Sequence, residues 1–94
     1  MTAITVHFYT LWKQYLGVDK VAMEAEDVKD ALDQIDKKYG SVLREKLQAR
    51  GTRVDGKIQD FSFVLLNNTS LRNVKENSLY EGDVLRIFPP VLGG

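Results

Sequence analysis

The reactive side chains of this 94-residue sequence are few and far apart. His7 is the only histidine and cysteine is absent, which excludes a disulfide, a cysteine nucleophile and a thiolate zinc site. A lone histidine in a strand-like segment is typical of a solvated side chain rather than of a catalyst. Asp27 and Asp30 could be paired for acid–base work, but capping of a helix explains both. The internal residues therefore predict neither an enzyme active site nor a metal site.

Composition and short motifs exclude several further classes of function. The serines lack a G-x-S-x-G context, and the glycines form neither a dinucleotide-binding nor a phosphate-binding loop. Thirteen basic and thirteen acidic side chains balance, which argues against nucleic acid or an anionic membrane surface as a partner. No apolar run approaches the ~18 residues of a membrane span, and the first residues do not resemble a signal peptide. We expect a cytoplasmic protein without nucleic-acid or membrane partners.

The stretch from Phe88 to Gly94 is the one whose composition suggests a reaction. Pro89-Pro90 should end a strand and stiffen the exit, because proline cannot donate to a sheet ladder. Six extended residues of about 3.3 Å each would carry the Gly94 carboxylate roughly 20 Å from the body. Gly93-Gly94 lacks Cβ atoms and would fit a slot too narrow for other residues. We predict an arm that delivers its own carboxylate into another protein, the alternative being a frayed terminus.

The body that must present this arm contains several predicted strands and one strongly predicted helix. Period-two alternation predicts strands at 4–9, 18–25, 61–66 and 84–88, with a short return strand at 69–72 after an Asn67-Asn68 turn. Apolar spacing predicts a helix at 28–39, capped by Asp27 and closed by Gly40 at the position after its C-terminus. A weaker helix is predicted at 41–50, and a helical turn or loop at 10–16 that Gly17 ends. Trp12, in that connection, is a candidate exposed contact, although packing over the core explains it equally well.

This order of elements predicts an α+β fold. One main helix covers one face of a mixed four- to five-stranded sheet and leaves the other face open. The apolar residues expected on the open face are Tyr9, Val64, Leu66 and Phe88, although a register error of one residue would invert the assignment. We expect a folded domain at 1–88 and an extended tail at 89–94.

The closing sequence resembles the end of the MoaD/ThiS family of sulfur carriers. The stretch that carries the resemblance is Gly82-Asp83-Val84-Leu85-Arg86-Ile87-Phe88-Pro89-Pro90-Val91-Leu92-Gly93-Gly94. The first strand, the capped helix and the Asn67-Asn68 hairpin follow in the family's order, so the resemblance covers essentially the whole chain. It implies a ubiquitin-like β-grasp fold. The Pro-Pro ending is most similar to that of the small subunit of molybdopterin synthase. The length of the segment 41–60 is similar to that in archaeal-type members, small archaeal modifiers and a carrier used in cysteine synthesis.

The resemblance also implies a mechanism in which partners supply the catalytic groups. An E1-like adenylating enzyme would use ATP to activate the Gly94 carboxylate, and sulfur would then displace AMP to leave a thiocarboxylate. The large subunit of molybdopterin synthase would accept the tail and move the sulfur to a pterin precursor. The chain itself would be no enzyme and would bind no cofactor. The alternatives are a ubiquitin-like modifier joined through Gly94 to target lysines, a carrier for thiamine or cysteine synthesis, and a plain interaction module.

The family's functional positions fall on specific residues of this sequence. Gly94 would be the reacting residue, and the resemblance implies that the residues inserted with it are Pro89, Pro90, Val91, Leu92 and Gly93. Phe88, Tyr9 and Lys13 match positions at the partner interface. Ser70 falls where the family often has an aliphatic interface residue, which leaves the partner's identity open.

Overall fold

The computed structural model describes residues 1–90. Their regular elements are β1 (Thr2–Phe8), α1 (Thr10–Leu16), β2 (Lys20–Ala25), α2 (Val28–Ile35), α3 (Ser41–Ala49), β3 (Phe63–Leu66), β4 (Thr69–Ser70) and β5 (Val84–Phe88). The strands form one sheet in the order β2-β1-β5-β3-β4. β1 and β5 run parallel, and the other neighbours run antiparallel. The predicted mixed α+β fold is confirmed, with five strands.

The helices, together with the segment between α3 and β3, cover one face of this sheet. Alternate side chains of the three central strands form the core on that face: Ile4, Val6, Phe8, Val64, Leu85 and Ile87. The apolar stripe of α2 packs against them through Val28, Ala31, Leu32 and Ile35. Among residues 1–90 the core contains no buried polar or charged residue. No helix in the described part of the chain has the length and apolar character needed to cross a bilayer.

Local signals place the ends of several elements where the sequence predicts them. The Asp30 amide donates to Asp27 Oδ1 at 2.8 Å, so helix capping accounts for this pair of carboxylates. Gly17 ends α1 with φ of 70°, a conformation that favours glycine. Asn67 has φ of 56° in the β3–β4 turn, and its side-chain oxygen accepts from the Val84 amide at 3.0 Å. The hairpin turn is therefore tied to the start of β5.

The prediction that Gly40 ends the main helix is wrong. A π-type turn at Asp36–Gly40 joins α2 to α3, and Gly40 is buried with an ordinary helical φ of −60°. Asp36 Oδ1 accepts hydrogen bonds from Arg44 Nη1 at 2.7 Å and from the Ile58 amide at 2.8 Å. A Cβ on Gly40 would overlap this carboxylate. Glycine is therefore needed here for the space it leaves, and the helical path continues through it.

The structure decides between the two alternatives for Trp12 and corrects the expected open face of β3. Trp12 is 2% exposed, and its indole nitrogen donates to Ser62 Oγ at 2.9 Å, so it closes the end of the core. Val64 is buried and Leu66 packs against the core, whereas Phe63 lies on the open face. The register of β3 against β5 pairs Val64 with the buried Ile87 and Phe63 with Phe88, and this places Val64 on the core face and Phe63 on the open face.

Candidate functional site: an aromatic strip at the end of β5

Three aromatic residues come together on the open face where β5 ends. Phe88 is the last residue of β5 and is paired in register with Phe63, the first residue of β3. The parallel pairing of Phe8 with Ile87 brings Tyr9, directly after β1, beside Phe88. The sheet topology therefore gathers residues from three strands at the point where the chain leaves the sheet.

The ring geometry shows a continuous set of contacts. Tyr9 and Phe88 are stacked, with ring centroids 4.2 Å apart and planes at 10°. Phe63 lies 6.0 Å from Phe88 at 48°, and His7 lies 6.3 Å from Tyr9 at 35°. We call His7, Tyr9, Phe88 and Phe63 the aromatic strip. Phe63 is 42% exposed, so the aromatic strip presents apolar surface to solvent.

Arg86 connects the aromatic strip to the β3–β4 turn. Its Nη1 donates a hydrogen bond to the Tyr9 hydroxyl, and its Nε donates to the Asn67 carbonyl at 3.1 Å. The ion pairs formed within residues 1–90 do not include Arg86. His7 is its register partner on β1, and Lys20 is the next residue across the sheet. The open face thus combines aromatic rings with basic side chains, which suits a docking surface with hydrogen-bond donors.

The predicted site residues divide into three groups. Tyr9 and Phe88 are in direct contact on the open face, and their role at a partner interface stays a prediction. Lys13 lies on α1, with an exposed Nζ 3.9 Å from Asp19 Oδ2, outside the ring contacts of the aromatic strip. Ser70 is half-buried on β4 opposite Leu65.

The predicted tail is described only at its beginning. β5 ends at Phe88, as expected from the two prolines, and Pro89 and Pro90 follow outside the strand with their surfaces half-buried. Val91, Leu92, Gly93 and Gly94 lie outside the described residues, so their insertion into a partner stays a prediction. The boundary between a domain at 1–88 and a tail at 89–94 stays a prediction as well.

The sequence-based predictions missed Phe63 and Arg86 as members of this face. Arg86 could have been found from the alternation in β5, since it is two residues before Phe88 and therefore shares its face. Phe63 depended on the β3–β5 register, which local periodicity does not provide. Among residues 1–90 there is no group of three or more side chains placed to hold a metal ion.

Comparison with solved structures defines the class of fold. The solution structure of small archaeal modifier protein 1 from Methanosarcina acetivorans matches with a TM-score of 0.71 and 22% identity, covering 100% of this chain and 98% of that one. A putative molybdopterin converting factor subunit 1 from Pyrococcus furiosus gives 0.64 and 24%, with 97% and 100% covered. The complex of subunits 1 and 2 of the molybdopterin-converting factor from Helicobacter pylori gives 0.64 and 22%, with 99% and 100% covered. The fold is a ubiquitin-like β-grasp.

The family follows from the sequence as a whole. The model of the ThiS family matches residues 6–94, and the chain belongs to that family of small sulfur carriers and ubiquitin-like modifiers. A search of curated proteins finds no match. The resemblance stated from the closing sequence is thereby confirmed. Members of the family act as carriers or modifiers rather than as catalysts.

Proposed function

We propose that this chain is a sulfur carrier in which Gly94 is the C-terminal residue and its carboxylate is the site of chemistry. The observation that carries the proposal is the ThiS-family match, which runs to residue 94 and so includes the Gly93-Gly94 pair. The open face supports it, because the aromatic strip lies where β5 releases the chain toward that pair. A folded body that docks and a terminus that reacts are consistent with both observations.

The proposed reaction has two steps, both catalysed by partner proteins. An E1-like enzyme joins the Gly94 carboxylate to the α-phosphate of ATP, and pyrophosphate leaves. Hydrosulfide supplied by a sulfur donor then attacks the carbonyl carbon of the acyl-adenylate and displaces AMP, which leaves a thiocarboxylate on Gly94. ATP belongs to the activating enzyme, and this chain contributes the docking surface and the carboxylate.

The aromatic strip is the proposed docking surface for these partners. A partner bound to Phe88 and Tyr9 would have its active site within reach of the last residues, since six extended residues span roughly 20 Å. Aromatic side chains at such positions contribute much of the binding energy of interfaces. Pro89 and Pro90 restrict the backbone immediately after the docked residue, so fewer conformations are lost when the last residues enter the partner.

We propose molybdopterin synthesis as the pathway. Relatives in fold include molybdopterin-converting-factor subunits, and one of them, from Helicobacter pylori, is solved in complex with subunit 2. By analogy, the acceptor of the tail here would be a large synthase subunit that moves the sulfur to a pterin precursor.

A second candidate is a ubiquitin-like modifier joined through Gly94 to lysines of other proteins. This candidate is supported by the match in fold to small archaeal modifier protein 1, which covers almost the whole of both chains. The acyl-adenylate is common to both candidates, so they differ only in whether sulfur or a lysine amine displaces AMP.

Intact mass spectrometry after incubation with the activating enzyme, ATP and a sulfur donor separates these candidates. A mass increase equal to the exchange of one oxygen for one sulfur supports the carrier. Conjugates of higher mass that disappear when Gly94 is deleted support the modifier. Neither product, with an activating enzyme shown to be active on another carrier, would contradict both and leave an interaction module.

A further inference from the structure

We propose that Arg86 is a positioning residue that holds the Tyr9–Phe88 ring pair in place and thereby sets the direction in which the chain leaves β5. The inference rests on the proposed function, since a fixed direction matters only if the following residues must enter a partner's active site. It assigns to Arg86 a role in presenting Gly94 rather than in contacting the reacting atoms.

The Arg86 guanidinium spans the open face. Its Nη1 bonds to the Tyr9 hydroxyl after β1, and its Nε bonds to the Asn67 carbonyl in the β3–β4 turn. A planar guanidinium donates in two directions at once, whereas a lysine ammonium is a single point charge on a flexible stem. Because Asn67 is itself tied to the Val84 amide, the anchor at that end is rigid.

Tyr9 is held at its backbone and at its hydroxyl. Its backbone amide donates to the Ile87 carbonyl at 3.1 Å, and its hydroxyl accepts from Arg86. Its ring therefore has little freedom to rotate away from Phe88, with which it stacks at 4.2 Å. A phenylalanine at position 9 would keep the ring but would lose the hydroxyl that Arg86 holds.

The ring of Phe88 anchors the end of β5, from which the following residues leave the sheet. Phe88 is the last residue of β5, and its ring is packed between Tyr9 and Phe63. Proline fixes its own φ and restricts the residue before it to extended conformations. The backbone of Phe88 is therefore restricted by its pairing in β5 and by the proline after it, and the ring contacts hold that end of β5 against β1 and β3.

Charge pairing does not explain Arg86. The acidic partners of ion pairs within residues 1–90 are bound to Lys13, Arg44, Arg53 and Lys57. Both acceptors of Arg86 are neutral oxygens on the strip and in the turn. Its contacts therefore serve to fix positions on the open face, which is the property the proposal uses.

The test compares R86M, R86K, Y9F and the double variant with the wild-type chain in adenylation by its activating enzyme, followed as pyrophosphate release. At saturating carrier we expect R86M to lower the rate on the order of tenfold, because a misplaced reacting group loses its productive geometry. R86K should behave like R86M, since it keeps the charge but not the two-direction contact. Y9F should lower the rate by about threefold, and the double variant should be no slower than R86M, because both changes break one unit.

The split between kcat and KM identifies the role. A positioning residue changes kcat at saturation, with KM and the thermal unfolding midpoint close to those of the wild type. An increase in KM with kcat unchanged would make Arg86 a partner contact and would overturn the proposal. Wild-type behaviour of R86K or Y9F, or effects that multiply in the double variant, would overturn it too. Should R86M fail to fold, Y9F, which removes a single oxygen atom, decides the question.

A measurement on the free chain separates this inference from the proposed function. Nuclear Overhauser contacts between the rings of Tyr9 and Phe88 should weaken in R86M and Y9F, whether or not any enzyme activates Gly94. Ring contacts unchanged in both variants would overturn the inference while leaving the carrier function intact. A wild-type chain that is never adenylated would contradict the proposed function, and the ring contacts would still report on Arg86.

Discussion

The two faces of the same three strands differ in what their side chains do. On β1 and β5 the buried residues of the core face are all apolar, and Val6, Leu85 and Ile87 have no exposed surface. The open face, formed by the residues between them, carries the aromatic strip and Arg86, which are half-buried at most and joined by ring contacts and hydrogen bonds. Because successive side chains of a strand point to opposite faces, residues that stabilise the core alternate with residues that are available for interaction.

Neighbouring residues Ile87 and Phe88 provide the sharpest test of this comparison. Ile87 is completely buried, so Ile87→Ala should lower the free energy of unfolding by about 2–5 kcal/mol, from lost burial and the cavity left behind. Urea denaturation followed by circular dichroism measures the change. The same measurement on Phe88→Ala should show a clearly smaller loss, because that ring is only half-buried. Equal losses in the two variants would break the division between the faces.

Binding should show the opposite order. Phe88→Ala should weaken association with the activating enzyme by about 1–3 kcal/mol, the range of an interface hot spot. Titration calorimetry with the folded variant measures this. Tyr80→Ala is the matched control, since Tyr80 is an aromatic residue that is 65% exposed and lies before the start of β5, outside the aromatic strip. A Tyr80 variant that binds as poorly as the Phe88 variant would show that the strip is not the docking surface.

The smallest expected effect is the loss of stability on removing Asp27, the N-cap of α2. This change tests whether apolar burial alone stabilises the covered face. Asp27→Ala removes the acceptor of the Asp30 amide and should cost about 1 kcal/mol of stability. Glu45→Ala, at an exposed position of α3, is the control and should change the free energy of unfolding by no more than about 0.5 kcal/mol. Indistinguishable urea midpoints for the two variants would assign the start of α2 to packing rather than to its cap.

Features set by local chemistry could be predicted from the sequence. The Asp27 cap, the left-handed Gly17 and the Asn67 turn depend on side chains acting on nearby backbone, and all three are found. The strand at Val84–Phe88 was predicted with its observed ends, because alternation and two prolines define it. The family likewise depended on a contiguous stretch at the end of the sequence.

Features set by contacts distant in sequence could not be predicted. Gly40 resembles a helix end until the Asp36 carboxylate, held by Arg44 and by the Ile58 amide, is seen to fill the space beside it. Trp12 resembles an exposed contact until Ser62, fifty residues away, accepts its indole hydrogen. The aromatic strip depends on the pairing of three strands, so Phe63 could not be placed beside Tyr9 and Phe88 in advance.

The claim on which the account depends is that chemistry takes place at Gly94 and nowhere in the folded body. Fragmentation mass spectrometry of the chain treated with activating enzyme, ATP and sulfur donor tests it directly. We predict that the oxygen-to-sulfur mass change is confined to fragments containing Gly94. The same change on a fragment that lacks Gly94, or a modified product from a chain without Gly94, would contradict it.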